Sequence, residues 1–407
     1  MAAEGRMELE CTMDEQDVIV MDNGSGYLKV GFSGEDAPRA VLPTAVATTT
    51  PDDAREDEAA PGLDSAAQKK PQAFYGEEAV MQKGNAHIVR PVQRGEVQMN
   101  IPSKEAMENL WEHAFHHHLG LEQEELPILI ADPLPLGQNA YSVRQWIAEV
   151  MFEKLKVKSL AIFNTAVLSI LSTGRTRGLV VESGEGLTQA VPVFEGYAIP
   201  HAIFRMEVAG QDITSKVQQV MEAQEGREYA NDSRVMQALK EKVCAVAPSI
   251  EHCMKGIDTA DEEARSFELP DGKIIKVGAD IRAGGPEIIF GAGDPSIFRS
   301  VQKICKEAIE TCDEPFRKDL VKSLVVAGGT SMLPGLAPRL KTELGALLQP
   351  ELASQIDICV DSQRRYAAWI GGSMFASLST FDMVAISKQE YEEAKGDVRA
   401  LVARKTF

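Results

Sequence analysis

Asp22-Asn23-Gly24-Ser25-Gly26 closes the apolar run Val18–Met21, and Glu182-Ser183-Gly184-Glu185-Gly186 closes the apolar run Leu179–Val181. After each comes a second apolar run, Tyr27–Phe32 and Leu187–Pro192. Glycines at this spacing let a hairpin turn adopt positive φ and bring bare backbone amides close to an anion, while the acid can hold a cation on that anion. One acid-x-Gly-x-Gly marks any tight hairpin. Its recurrence with strand, acid, both glycines and following strand points to two facing halves that share a ligand. The economical ligand is a nucleotide polyphosphate with its metal.

The elements that must carry these turns follow from periodicity and punctuation. Ser103–His118, Tyr141–Leu155, Thr165–Ser172, Ile213–Gln224, Asp232–Cys244 and Ser300–Thr311 are predicted helices, with Asn231-Asp232-Ser233 as a cap. Val18–Phe32, Ala40–Val46, Pro127–Ala131, Ser159–Phe163 and Gly178–Val181 are predicted strands or hairpins, and Phe267–Val277 turns on Pro270-Asp271-Gly272. Strands alternating with helices imply a layered α/β architecture. Ser323–Ala327 runs into Gly328-Gly329-Thr330, a third close backbone approach with free amides. Residues 1–16 read as a loose extension and Thr48–Gln72 as a mobile acidic loop, too poor in apolar side chains to offset the entropy of ordering. His116-His117-His118, one turn after His113, invites a metal reading. Consecutive histidines on a helix point in different directions, however, which favours a polar helix face.

With 407 residues, 44% of them hydrophobic, the chain can bury a sizeable core divided among two or three domains. A net charge of −19 argues against general nucleic-acid binding and against adhesion to an anionic membrane, both of which need a Lys/Arg excess. The 6 cysteines form no C-x-x-C pair, and no secretory signal or membrane-spanning run is present, so the chain reads as intracellular and reduced.

In order and spacing these elements resemble the actin and actin-related protein family. The resemblance rests on Asp22–Gly34, Ser172-Thr173-Gly174-Arg175-Thr176, Glu195–Ile203, Ala209–Thr214, Leu239–Cys244, Ala327–Pro334, Trp369–Ser373, Leu378–Phe381, Ile386–Glu393 and the terminal Arg404-Lys405-Thr406-Phe407. It implies an actin-like two-lobed α/β fold, shared with sugar kinases and heat-shock chaperones, in which duplicated sheet domains face a nucleotide cleft. A first lobe would comprise residues 18–172 plus 367–407, after an extension at 1–17, and a second lobe residues 173–366. ATP or ADP would sit between them with Mg²⁺ or Ca²⁺. By resemblance, the phosphates meet Gly24, Ser25, Gly26, Tyr27 and Lys29 from one side and Gly184, Glu185, Gly186 and Leu187 from the other. Asp22 and Glu182 approach the metal, while Gly210, Lys240, Glu241, Gly329, Thr330, Met332 and Arg365 surround ribose and base. Arg365 stands where the family has lysine.

The departures from the family pattern bear on function. Thr165 and Gln189 occupy the places where actins carry the glutamine and histidine that position the attacking water, and Glu182 lengthens the second cleft aspartate. Because phosphoryl transfer depends on positioning and electrostatics, these changes predict slow or absent hydrolysis. Acidic Thr48–Gln72 replaces an apolar docking loop, Arg94 replaces a histidine behind the phosphates, and the glycine-rich Phe290–Phe298 replaces a more apolar plug, so long homofilaments are not expected. The resulting expectation is a divergent actin-related subunit of a larger assembly, partnered by actin or other actin-related proteins. Its setting would be cytoplasmic and cytoskeletal, with nucleus or cilium open. A filament-forming ATPase is the alternative. A small-molecule kinase would need a carboxylate base facing a substrate hydroxyl, and no residue marks one.

Overall fold

In the computed structural model, which describes residues 17–49, 72–82, 86–121, 126–133, 140–225, 227–258, 265–291 and 299–405, the two acid-glycine turns close hairpins of the same build. Ile19–Asn23 runs antiparallel to Tyr27–Phe32, and Gly178–Ser183 runs antiparallel to Thr188–Phe194. On its other side each first strand takes a parallel neighbour, Pro127–Asp132 and Leu324–Ala327 respectively. The parallel strands are apolar along their length because both faces are covered, and every residue of Pro127–Asp132 and Ser159–Asn164 is buried. One sheet runs Ile386–Ser387, Ser159–Asn164, Pro127–Asp132, Ile19–Asn23, Tyr27–Phe32, Ala40–Pro43. The other runs Tyr197–Ala198, Thr188–Phe194, Gly178–Ser183, Leu324–Ala327, Ile358–Cys359, with Phe204–Met206 also paired to Thr188–Phe194.

The duplication extends to register. Asp22 stands opposite Lys29 in the first hairpin, and Glu182 stands opposite Gln189 in the second. A side chain seven positions after each acid is therefore delivered to that acid by strand pairing alone.

Between the sheets lies the short helix Thr165–Leu171, capped by Asn164, whose Oδ1 accepts from the amides of Ala166 and Val167 at 2.8 and 3.4 Å. Its Ala166, Val167 and Ile170 pack on Val180, Val191 and Val325 of one sheet, while Leu168 packs with Val20, Leu129 and Trp369 on the other side. Helix Ala367–Ala376 crosses it so closely that a Cβ at Gly371 would lie 1.8 Å from the Leu168 carbonyl oxygen. Trp369 Nε1 donates to the Val20 carbonyl at 3.0 Å, tying the crossing to the first hairpin.

Some expectations shift. The predicted helices 103–118 and 141–155 are α-helical over Ile101–His113 and Ala140–Glu149, then widen into single π turns, with Leu119 and Leu155 amides donating to Ala114 and Val150 carbonyls. Thr48 and Thr49 are strand residues in Val46–Thr49, paired with Gln72–Tyr75, since β-branched side chains suit a pleated ladder. The acidic loop between them, the N-terminal 16 residues, positions 292–298 of the glycine-rich stretch and the final two residues lie outside the described residues. The histidine run forms a ring cluster: His113 stacks on Tyr75 at 4.6 Å, and His117 lies 4.6 Å from His113. Among the described residues no group of three or more His, Cys, Asp or Glu is arranged to hold a metal, and no helix is long and apolar enough to cross a membrane.

Candidate functional site

The two hairpin turns, the Gly328-Gly329 loop and helix Ser233–Val243 face one cavity of about 420 Å³, within the ordinary range for small-molecule sites. The first hairpin contributes Asp22, Gly24, Ser25, Gly26, Tyr27 and Lys29 to its wall, and the second contributes Glu182, Gly184, Glu185, Gly186, Leu187 and Gln189. Thr165, Lys240, Glu241, Gly329, Thr330, Met332 and Arg365 complete the expected set. Gly210 alone stands one layer behind. A Cβ there would lie 2.5 Å from both Glu185 Oε2 and Thr330 Oγ1, so a bare α-carbon lets those two side chains approach.

None of Gly24, Gly26, Gly184 and Gly186 lies in the left-handed region, and Gly26 and Gly186 serve close contact instead. A Cβ on Gly26 would sit 3.0 Å from Glu185 Cβ, and one on Gly186 would sit 2.5 Å from Ser25 Oγ. The tips of the two hairpins therefore touch, and only glycine leaves room for it. The left-handed residues belong to the adjacent turn Arg94-Gly95, with φ of 51° and 82°, as the central pair of a type I′ turn requires. From there Gly95 N donates to Ser25 Oγ at 2.9 Å. Arg94 grips Asp212 with two bonds of 2.6 and 2.9 Å and donates to the Glu207 carbonyl. Gln237 Nε2 donates to Tyr27 Oη at 3.1 Å, a second tie between the first hairpin and the far wall.

Both acids at the strand ends already have partners. Lys29 Nζ lies 2.6 Å from Asp22 Oδ2. Glu182 Oε2 accepts from Thr165 Oγ1 and Gln189 Nε2, each at 2.6 Å, and Oε1 accepts from Ser169 Oγ at 2.7 Å. Gln189 is held in turn through its Oε1, which accepts from Arg205 Nε at 3.0 Å. Withdrawal from water pushes the Glu182 carboxyl upward, the three hydrogen bonds pull it down, and nearby Asp22 pushes it up again. Burial lowers Arg205, while Glu96, Asp132 and Glu182 support its charge. Lys240 Nζ pairs with Glu185 Oε2 at 3.0 Å and donates to the Gly210 carbonyl at 3.1 Å.

Four participants escape sequence reasoning. Asn23 lines the cavity at 4% exposure; its Oδ1 accepts from Trp111 Nε1 at 3.0 Å, and its Nδ2 is buried without a partner. An orphaned amide donor beside turns of bare backbone suits an anion. Ser169 lies one helical turn after Thr165, a spacing that places both hydroxyls on one face. Arg205 and Gln237 reach the site only through the tertiary fold and carry no local signal. For a divalent cation the donor set fits less well than for an anion, because Asp22 is paired with a lysine and Glu182 accepts three bonds.

Compared with known protein families, the chain matches the actin family model over residues 13–407.

Proposed function

The chain belongs to the actin family, and we propose that it holds ATP or ADP in this cavity as a structural clamp, hydrolyses it slowly or not at all, and works as a subunit of a larger cytoskeletal assembly. Family members generally bind ATP or ADP with a divalent cation and assemble with proteins such as actin. In this reading the turns at Gly24–Tyr27 and Gly184–Leu187, with Lys29 and the free Asn23 amide, take the phosphates. Lys240, Glu241, Gly329, Thr330, Met332 and Arg365 take the ribose and base. Residues 18–172 with 367–407 and residues 173–366 form the two lobes that the nucleotide joins. A divalent cation, when bound, would neutralise phosphate charge beside Asp22 and Glu182.

One observation carries the loss of hydrolysis. Thr165 and Gln189, at the family's water-handling positions, each spend a hydrogen bond of 2.6 Å on Glu182. The two groups also stand 3.4 Å apart, Gln189 Nε2 donating to Thr165 Oγ1, so no water fits between them, and a misdirected nucleophile costs most of the acceleration in phosphoryl transfer. Retention of the hairpins then follows from linkage, since a ligand that binds only the folded chain stabilises it.

The test is nucleotide extraction from the native purified protein, together with sedimentation in Mg-ATP. A bound adenine nucleotide in protein that stays in the supernatant and co-purifies with other subunits is expected. Protein that pellets as a polymer of itself alone would overturn the subunit reading, and protein free of nucleotide that takes up none would overturn the clamp.

A further inference from the structure

We propose that nucleotide binding in this cavity depends only weakly on a divalent cation, because the two carboxylates that would face it, Asp22 and Glu182, already have their partners within the chain. The proposal rests on the nucleotide reading above and concerns the form in which the ligand is taken.

Asp22 and Lys29 face each other in the hairpin register, and their 2.6 Å contact follows from that pairing. Glu182 is balanced at longer range. Its carboxylate accepts from Thr165, Ser169 and Gln189, and Gln189 relays it to the Arg205 guanidinium, 3.0 Å beyond. A carboxylate offers about four acceptor positions, so the three donors leave little for a metal's waters. The extra methylene of glutamate carries the group roughly 1.5 Å further than aspartate would, into reach of Ser169 Oγ at 2.7 Å on helix Thr165–Leu171. Mg²⁺ demands near-octahedral oxygen ligation and dehydrates reluctantly. Recruiting Glu182 would exchange three hydrogen bonds for a water-mediated contact.

The anion has its own partners. Asn23 Nδ2 is buried and unpartnered, the glycine turns present backbone to the cavity, and the Lys29 ammonium, with three hydrogens of which one is spent on Asp22, lines the same wall. These groups supply the charge compensation and donors that a metal otherwise brings to a polyphosphate.

The experiment uses the full chain stripped of nucleotide and titrated with a fluorescent N-methylanthraniloyl-ADP, once in excess Mg²⁺ and once in excess EDTA. The two dissociation constants are expected to differ by less than about fivefold. Glu182→Asp shortens the reach to Ser169 and frees the carboxylate for a metal's waters, so chelation should weaken its binding by about tenfold or more. A wild-type ratio of about fivefold or above overturns the proposal, as does a Glu182→Asp ratio equal to that of wild type. Absence of binding in both media overturns the nucleotide reading itself.

Discussion

Gly186 marks the closest approach of the two hairpins, and its substitution tests whether that contact organises the cleft. A methyl on its α-carbon would lie 2.5 Å from Ser25 Oγ, 2.8 Å from Ser25 Cβ and 3.0 Å from the Arg94 amide nitrogen. Non-bonded carbons rest at about 3.5–4.0 Å. Either the hairpins part by roughly an ångström, or Ser25 rotates away and gives up the bond it accepts from Gly95 at 2.9 Å. Overpacking of this kind costs about 1–3 kcal/mol. Gly186→Ala is therefore expected to lower the unfolding free energy by about that amount in urea titrations, and to weaken fluorescent-ADP binding by about tenfold. Ser25→Gly removes both nearest atoms. Combined with Gly186→Ala it should recover most of the loss, giving a coupling energy of about 1 kcal/mol. A Gly186→Ala protein within about 0.5 kcal/mol of wild type and with unchanged affinity would refute the contact.

Arg94→Ala removes the paired bonds to Asp212 of 2.6 and 2.9 Å; with the arginine side chain 38% exposed, solvent screening holds the loss to about 1 kcal/mol, less in high salt, as urea unfolding at two ionic strengths would read. Gly371→Ala places a methyl 1.8 Å from the Leu168 carbonyl oxygen and should cost more than about 3 kcal/mol or abolish soluble expression; wild-type yield and stability would contradict the helix crossing. Burial, reinforced by His117 and His118 and opposed by Glu78, lowers His113, and burial with His117 lowers His118. The unfolded chain then binds protons that the folded chain declines, so stability is fully present above the unfolded histidine value near 6.5 and falls as pH drops through it toward the lower folded values. His113→Phe, which keeps a ring against Tyr75, should flatten that slope in urea titrations run across the range.

The parts of the fold set by local chemistry are legible in the sequence. Asp232 caps its helix as expected, its Oδ1 accepting from the Arg234 amide at 3.0 Å, and the apolar runs Pro127–Asp132 and Gly178–Ser183 are buried strands. The paired acid-glycine turns foretold a shared cavity. Their glycines were expected to provide positive φ, yet none does, and Gly26 and Gly186 provide clearance between two segments far apart in sequence, a contact no local pattern encodes. Asn23 was visible beside Asp22, but its orphaned Nδ2 follows from a bond to Trp111 across the first core. Thr165 and Gln189 were expected to stand at the family's water-positioning places without its glutamine and histidine. They face Glu182 because the helix carrying Thr165 packs between the sheets and the strand register delivers Gln189. Arg205 entered through a strand pairing, Gln189 opposite Arg205, that composition does not reveal.

Phosphate release under single-turnover conditions tests the central claim that this cleft clamps nucleotide without turning it over. Purified protein loaded with γ-labelled ATP, in Mg²⁺ and in EDTA, should release the label no faster than about the rate of free ATP in the same buffer. Release at the rate of a conventional actin run alongside would contradict the account, since Thr165 and Gln189 would then be organising water despite their bonds to Glu182.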